Sequence, residues 1–359
     1  MTSQANSNDM SAILQEQASR LFQQYVTKDS LSAVDDGAWP AALWQEMERA
    51  GLPLALVTEA AGGVGVPAAD ALRLLRLSGY HTLPLPLGET MLAASFWTEA
   101  GGDLPEGSLS LAPGEVALTK AANGYTITGT LRRVPWGARA DHVLLVARDA
   151  AGQAHLVLLP KGIAAIEARR NVAYEPRDTL SFNAVTLPAA AVRLAPAAMQ
   201  ADGLLGFGAL LRVQQMVGAM ERVLDHALTY ANERVQFGRP IAKFQAVQHM
   251  LAVAAGQYAA AAAAADAAIE AYASAEFDFA VAVAKARVGE AAGEVAAIGH
   301  QVHAAMGFTQ EHPLHFATRR LWSWRDEFGA EAFWQERLGR LICAQGGETL
   351  WPLLTRNNS

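Results

Sequence analysis

Hydrophobic and polar positions follow three successive patterns along the chain. From about Ser11 to Gly102 the apolar residues recur every three or four positions, which is helical spacing. Between about Gly107 and Ala195 the period changes to two, and turns such as Asn123-Gly124 separate short β-rich runs. From about Gly203 onward long, alanine-rich helical stretches return. Since no helix of crossover length separates the strands, we expect helices, then an antiparallel sheet, then a helical bundle.

Composition narrows the class of protein. The 359 residues are 52% hydrophobic and 18% charged, which excludes a disordered chain because so much apolar surface must be buried. The formal charge is −7 and no run of Lys or Arg occurs, so nucleic acid is not the expected partner. Cys343 is the only cysteine, which excludes an intrachain disulfide and a cysteine-based metal site.

Two further features bear on location and metals. The first residues show no basic and apolar leader pattern, and the most apolar run, Leu251–Ile269, is mostly alanine with Gln257 and Asp266 inside it. We therefore predict a packed helix and not a membrane span, in a cytoplasmic protein. His300 and His303 lie three apart on one predicted helix, but no carboxylate is suitably spaced beside them, so we predict no metal site.

The segment Arg234-Val235-Gln236-Phe237-Gly238-Arg239-Pro240-Ile241 joins two long predicted helices. Its arginines are suited to a phosphate, and Phe237 offers a flat apolar face for a planar ring. Spacing alone is also compatible with an ordinary helix–turn–helix that carries surface arginines.

Four segments together resemble the acyl-CoA dehydrogenase family. They are RVQFGRPIAKFQAVQHMLA, PAALWQEMERAGLPLALVTEAAGGVGV, GYTITGTLRRVPWGARADHVLLVAR and QVHAAMGFTQEHPLHFATRR, and they occur in the family's order over nearly the whole chain. The resemblance implies an α+β fold with an N-terminal helical domain over 1–102, an antiparallel β-domain over 103–197 and a C-terminal four-helix bundle over 198–359.

The resemblance also implies a function. An acyl-CoA dehydrogenase (EC 1.3 type) desaturates an acyl-CoA thioester between Cα and Cβ: a carboxylate removes the α-proton, and the β-hydrogen passes as hydride to N5 of FAD. The electrons then go to an electron-transfer flavoprotein or a similar acceptor. Because FAD spans two chains in the family, a dimer or tetramer is expected.

The resemblance assigns cofactor contacts to the residues of this chain that stand at matching motif positions. Positions that hold the FAD of a neighbouring subunit are matched by Arg234, Gln236, Phe237, Ile241, Gln245, Gln301 and Ala305. The strand that lies against the flavin ring is matched by Val134, Pro135 and Trp136. Pro135 replaces a hydroxyl residue, and Ala304-Ala305 replaces a Gly-Gly pair that lets the backbone approach the pyrophosphate.

The catalytic base departs from the family pattern. In many members a glutamate acts as the catalytic base, and Phe328 stands at its position here. Other members place the base on the first bundle helix, and Gly208 stands at that position. Glu327 is one place early, a rotation of about 100° on a helix, and is our candidate base if Trp324–Gly329 is irregular. The alternative for Glu327 is a solvated turn.

Because no carboxylate stands at either expected base position, functions other than desaturation by this chain remain open. One is a non-catalytic partner subunit that completes the FAD sites of a paralogue in a hetero-oligomer. Another is a flavin enzyme with a substrate other than a CoA ester. The small residues Gly206, Gly208 and Ala209 near the expected acyl pocket suggest a bulky acyl group.

Overall fold

Helices surround a central sheet in a computed structural model that describes residues 2–355; Met1 and 356–359, at the ends of the first and third predicted domains, lie outside the described residues. The helices before the sheet are α1 (Thr2–Tyr25), α2 (Lys28–Asp35), α3 (Ala41–Arg49), α4 (Ala68–Tyr80) and α5 (Leu87–Glu99). Helix α3 illustrates how the sequence sets these bounds. It starts after Pro40, and Gly51 follows its end with φ 73°, a left-handed conformation that glycine adopts without strain.

The middle of the chain forms a mixed sheet with strand order β5-β6-β2-β1-β3-β4-β7 among the described residues. Its strands are β1 (Leu109–Ala121), β2 (Gly124–Pro135), β3 (His142–Arg148), β4 (Ala154–Pro160), β5 (Ala165–Glu167), β6 (Arg177–Leu187) and β7 (Val192–Leu194). The hairpin predicted at Asn123-Gly124 is present, with Ala121 opposite Gly124 at its closed end.

One strand pair corrects the prediction of a purely antiparallel sheet. Strands β1 and β3 are parallel, with Leu109 opposite His142 and Ala117 opposite Arg148. No crossover helix is needed because β2 runs antiparallel to β1 and brings the chain back to the end of the sheet where β1 begins. A short loop then passes β1, and β3 pairs with its other edge. The fold class is confirmed, but the sheet is mixed.

Both faces of the sheet are covered. Leu144 and Val146 of β3 belong to the same core as the helices, whereas Val143, Leu145 and Ala147 belong to a second core on the opposite face. This alternation is the period of two that the sequence shows. The apolar core that the sheet shares with the helices therefore lies on one of its faces.

The remaining helices pack as a bundle with an extension. They are α6 (Leu205–Glu233), α7 (Gln245–Glu270), α8 (Phe277–His303), α9 (Leu314–Arg325), α10 (Glu331–Gln345) and α11 (Leu350–Thr355). A two-strand ribbon, β8 (Val235–Gln236) and β9 (Arg239–Pro240), joins α6 to α7. Helix α6 also meets α4 backbone to backbone, since a Cβ on Gly218 would lie 1.9 Å from the carbonyl oxygen of Arg76.

Helix α7 is long and apolar enough to cross a membrane by length and composition alone. It contacts α6 and α8 as the sequence predicts, but only 28% of its apolar window is buried within this chain. The expected tight packing therefore holds for one side of α7, and its other alanine-rich side is open.

Candidate functional site

Glu327, the candidate base, lies in the turn after α9 and is held by two arginines. Its Oε1 accepts a hydrogen bond from Arg177 Nε at 2.6 Å, and its Oε2 accepts one from Arg212 Nε at 2.6 Å. The Glu327 side chain is 9% exposed, so the expectation of a solvated turn is wrong for this residue. Its neighbour Asp326 is exposed.

The two arginines belong to a larger buried network of alternating charges. Arg212 Nη2 donates to Glu89 on α5 at 2.8 Å, and Arg177 Nη2 donates to Glu175 at 2.8 Å. Arg320 Nε lies 3.1 Å from Glu175, whose Oε2 also accepts from Trp324 Nε1 at 3.0 Å. The members are Glu89, Glu175, Glu327, Arg177, Arg212 and Arg320. Because each charge faces an opposite charge, a cluster that would otherwise be costly to bury is tolerated.

The network keeps Glu327 and Glu175 ionised. Burial by itself would raise the pKa of Glu327, but the charges of Arg177 and Arg212 outweigh it and hold that pKa below its ordinary value. The same competition, with Arg177 and Arg320 prevailing over burial, lowers the pKa of Glu175 to about 2. Glu327 is therefore an ionised acceptor with both oxygens engaged, which is the opposite of a carboxylate poised to take up a proton.

The two positions at which the resemblance led us to expect the base are in contact with each other. Phe328 has φ 53° and is buried, and its ring lies on Gly208 of α6. A Cβ on Gly208 would come within 2.2 Å of ring atoms Cδ1 and Cε1 of Phe328. The site where a base is expected is consequently filled by an apolar contact.

Val134, Pro135 and Trp136, expected against a flavin ring, are all buried within this chain. Trp136 packs edge-on against Trp39, with ring centroids 5.9 Å apart, and the Pro135 carbonyl accepts a hydrogen bond from the Ser110 hydroxyl. The buried side chains present no open face, so they do not fit a flavin held by this chain. The exposed residue beside them is Arg133.

The loop between α6 and α7 is exposed, in contrast to the buried strand end at Val134–Trp136. Phe237 is 92% exposed at the tip of the β8–β9 ribbon, and Arg234, Gln236 and Gln245 are exposed around it. The Arg239 guanidinium lies 4.3 Å from the centroid of the Phe244 ring, which keeps that side of the loop ordered. These exposed side chains fit a dinucleotide held mainly by another chain.

Gln301 and Ala305 lie at the same end of the bundle as this loop. Val302, next to Gln301, shares a small apolar cluster with Ala231 of α6, and Ile241 of the loop is half-buried against that cluster. Ala304 has φ 49°, a left-handed conformation that favours glycine, so its methyl group stands in a strained backbone. The structure thus brings the predicted dinucleotide contacts of the loop and of α8 to one end of the bundle.

The histidines make other contacts. His303 Nδ1 pairs with the Gly299 carbonyl at 2.7 Å, and His300 Nε2 pairs with the Thr318 hydroxyl at 2.9 Å. Among residues 2–355 no group of three or more His, Cys, Asp or Glu side chains is arranged to hold a metal ion.

Sequence reasoning missed the charged network around Glu327. Arg212 gives the clearest signal that could have revealed it, because it is a lone charge in the apolar stretch of α6 from Phe207 to Met220. An arginine inside such a stretch requires a buried partner. The partners Glu89, Arg177 and Glu327 carry no comparable signal.

The succession of helices, mixed sheet and bundle, with an exposed Arg–Phe–Gln loop at one end, defines a dehydrogenase fold of the acyl-CoA type. Residues 197–330 match the family model described as "Acyl-CoA dehydrogenase, C-terminal domain". The chain is 27% identical over 288 residues to acyl-CoA dehydrogenase IpdE2 of Mycobacterium tuberculosis, an overlap of 79% of this chain and 81% of that protein.

Solved structures agree over nearly the whole length. The steroid ACAD Tcur3481-Tcur3483 has a TM-score of 0.83 at 25% identity, covering 94% of this chain and 99% of that chain. The ChsE4-ChsE5 complex from Mycobacterium tuberculosis has a TM-score of 0.84 at 24% identity, with 94% and 98% covered. The C-terminal part of the chain thus matches the acyl-CoA dehydrogenase family, and the relatives and solved structures extend the likeness over nearly the whole chain.

Proposed function

We propose that this chain is the non-catalytic partner subunit of a hetero-oligomeric, FAD-dependent acyl-CoA dehydrogenase. The observation that carries this proposal is the contact of Phe328 with Gly208, which leaves both family positions for the base without a carboxylate. In the assembly a paralogous subunit supplies the base that removes the α-proton, and FAD accepts the β-hydrogen as hydride.

The state of Glu327 supports the same assignment. A general base must release its hydrogen-bond partners and accept a proton near the working pH. Glu327 would have to leave Arg177 and Arg212 unpaired in a buried setting, which is costly. Its role in this chain is to neutralise the two guanidinium groups.

The exposed loop supplies the positive contribution of the subunit. Arg234 would pair with phosphate oxygens, Phe237 would pack on a flat ring and Gln245 would hydrogen-bond the dinucleotide, with Gln236 and Ile241 shaping the loop. Gln301 and Ala305 extend this surface at the same end of the bundle. An exposed aromatic ring with polar side chains around it, such as Phe237, is typical of an interaction site.

The similar proteins support a two-chain assembly. Tcur3481-Tcur3483 and ChsE4-ChsE5 are each named as a pair of different chains. We place this protein in the cytoplasm, with an acyl-CoA as substrate of the assembly and an electron-transfer flavoprotein or similar acceptor. The division at 1–102, 103–197 and 198–359 is part of the proposal, and the last of these segments carries the dinucleotide loop.

Co-expression tests the proposal. The chain is purified alone and with a paralogue that has glutamate at the position of Phe328, and visible spectra are recorded before and after anaerobic acyl-CoA addition. We expect flavin bands that bleach only for the complex. Arg234→Ala should lower the FAD content of the complex, whereas Arg340→Ala, a change of an exposed arginine on α10, should not. A homo-oligomer that holds FAD and bleaches unaided contradicts the proposal.

A self-sufficient dehydrogenase with Glu327 as its base is the competing function. Its support is that Glu327 lines a cavity of about 320 Å³ between the sheet and α9. Glu327→Gln decides between the two: full turnover of the complex is expected if the paralogue supplies the base, and loss of turnover with the FAD content unchanged is expected if Glu327 does.

A further inference from the structure

A small cavity lies where the N-terminal helices meet the bundle. Its wall is formed by the turn between α1 and α2, the residues that follow α4, the second half of α6 and the first turn of α9. The cavity has a volume of about 70 Å³. Organic ligands and cofactors occupy sites of about 300 Å³ or more, whereas a water molecule takes up about 30 Å³. The cavity therefore suits a small ion and excludes a nucleotide, an acyl group or a flavin.

The ionisable side chains that line this cavity are all basic. They are Lys28, His81, Arg222 and His226. Among the described residues no Asp or Glu side chain lines the cavity. Lys28 is also the first residue of α2, so the positive end of that helix lies at the wall. A cavity with one sign of charge stands out in a chain whose formal charge is −7, and it favours a negative ion.

Arg222 carries the charge that needs a counter-ion. It is half-buried; its Nη1 donates to the Tyr80 hydroxyl at 3.4 Å, and its guanidinium carbon lies 5.2 Å from the centroid of the Tyr80 ring. Both contacts are with a neutral group. Asp225 accepts from the Tyr80 hydroxyl at 2.8 Å, and no carboxylate in the part of the chain that the structure describes forms an ion pair with Arg222. Because a half-buried charge without an opposite charge is unfavourable, a bound anion would stabilise this arrangement.

His81 and His226 are held neutral beside Arg222. Burial and the charge of Arg222 lower the pKa of His81 to about 4, and the same causes, together with two nearby histidines, lower the pKa of His226 to about 3. A neutral imidazole offers one N–H donor, and it gains a second when it is protonated. An anion in the cavity would oppose the effect of Arg222 and raise both pKa values, so binding would take up protons. The other titratable groups around the two rings are Lys28, Tyr80, Asp225, His303 and His312.

We propose that this cavity binds a small inorganic oxyanion of the sulfate or phosphate type, with Arg222 and Lys28 as its charged partners and His81 and His226 as hydrogen-bond donors. A guanidinium group donates two parallel hydrogen bonds to such an ion, an arrangement that a halide ion does not offer. The bound oxyanion joins four segments that are distant in sequence. It therefore stabilises the attachment of α2 and of the α4–α5 turn to the bundle.

Isothermal titration of the full chain with sodium sulfate tests the proposal, at an ionic strength held constant with chloride. We expect saturable binding that Arg222→Gln weakens at least about tenfold and that Arg340→Gln, at an exposed arginine of α10, leaves unchanged. Arg234→Ala should also retain the affinity, because that arginine belongs to the loop between α6 and α7. No saturable binding, equal affinities of the Arg222 and Arg340 variants, or loss of affinity in Arg234→Ala overturns the proposal.

Lys28→Gln tests the same site without disturbing the packing of α6, since Lys28 is exposed. We expect it to weaken sulfate binding about threefold, whereas Lys120→Gln, at an exposed position of β1, should not. If Arg222→Gln does not fold, this pair decides: equal affinity of the two lysine variants overturns the proposal.

The pH dependence of binding tests the two histidines. Sulfate keeps its charge between pH 7.5 and 5.5, so a change in affinity over this range comes from the protein. We expect the affinity to rise at least about threefold as the pH falls, because binding takes up protons. His81→Gln combined with His226→Gln should remove the rise, whereas His249→Gln, at an exposed histidine of α7, should retain it. An affinity that does not change with pH, or a double variant that keeps the rise, overturns the assignment of these two donors.

Discussion

The ring of Phe328 occupies the space that a side chain at Gly208 would need. A Cβ on Gly208 would lie 2.2 Å from the ring, far inside van der Waals contact. Each residue therefore permits the other: the aromatic ring requires glycine on α6, and the glycine leaves room for the ring. A carboxylate side chain at Gly208 therefore cannot be accommodated unless the ring of Phe328 moves.

This dependence predicts that Gly208→Ala changes stability in opposite directions with and without the ring of Phe328. Gly208→Ala should destabilise the protein by about 1–3 kcal/mol because the added methyl overpacks the site. Phe328→Ala should cost about 3–5 kcal/mol by leaving a cavity. In the Phe328→Ala background, Gly208→Ala should instead stabilise by about 1 kcal/mol, since alanine is the better helix former. Thermal or urea unfolding of the four proteins measures this, and additive effects would contradict it.

Glu327→Gln tests the charged network. Loss of one carboxylate leaves Arg177 and Arg212 with too little opposing charge, so we expect a destabilisation on the order of 3 kcal/mol. Asp326→Asn, a change at the exposed neighbour, is the control and should alter the unfolding midpoint little. Equal effects of the two changes would show that Glu327 is solvated in solution.

Stability should fall as pH drops, in two windows. Burial lowers the pKa of His226 to about 3 and that of His312 to about 4, so the folded protein keeps them neutral while the unfolded chain protonates near 6.5. Their contribution is complete above pH 6.5 and is lost between 6.5 and about 3. Glu175, whose pKa is lowered to about 2 from 4.5 in spite of burial, adds a loss below pH 4.5.

Melting temperatures across pH 3–8 measure both windows. The double change His226→Gln and His312→Gln should reduce the loss between pH 6.5 and 4 and leave the lower window in place, while part of the upper loss persists because burial also lowers the pKa of His81 to about 4. His249→Gln, at an exposed histidine of α7, should leave the whole profile unchanged. A double variant with the original profile would refute the role of these two histidines.

Lys285 fixes the turn that carries Glu327 and Phe328. Its ammonium group is fully buried and donates to the carbonyl oxygens of Arg325 at 2.6 Å and Gly329 at 2.7 Å. Lys285→Met leaves both carbonyls without this donor, so we expect a loss of about 1–3 kcal/mol in the free energy of unfolding. Lys120→Met on an exposed position of β1 is the matched control.

The same lysine predicts an alkaline effect of defined sign. Burial lowers the pKa of Lys285 to about 8, whereas the unfolded chain holds that proton to about 10.5. The unfolded state therefore binds more protons between pH 8 and 10.5, and this group makes stability rise with pH across that range. Urea midpoints measured from pH 7.5 to 10.5 should show a smaller rise in Lys285→Met than in Lys120→Met.

Local patterns in the sequence predicted the elements and the family. The spacing of apolar residues identifies the helices, Asn123-Gly124 predicts the β1–β2 hairpin, and the motif from Arg234 to Gln245 identifies the loop that the structure exposes. These features are readable because each depends on residues within a few positions of one another. The parallel pairing of β1 with β3 is not readable in this way, since it depends on which edge of β1 the chain reaches after β2.

Only the tertiary structure decided what Glu327 does. Its partners Arg177 and Arg212 are 150 and 115 positions away in the chain, and Phe328 meets Gly208 across a similar separation. The residues next to a glutamate in a short charged run do not show whether that glutamate is solvated, catalytic or paired with two guanidinium groups. The sequence by itself determined the fold and showed that the expected base positions hold no carboxylate. Burial and the distances between charges remote in sequence determined that Glu327 is paired and ionised.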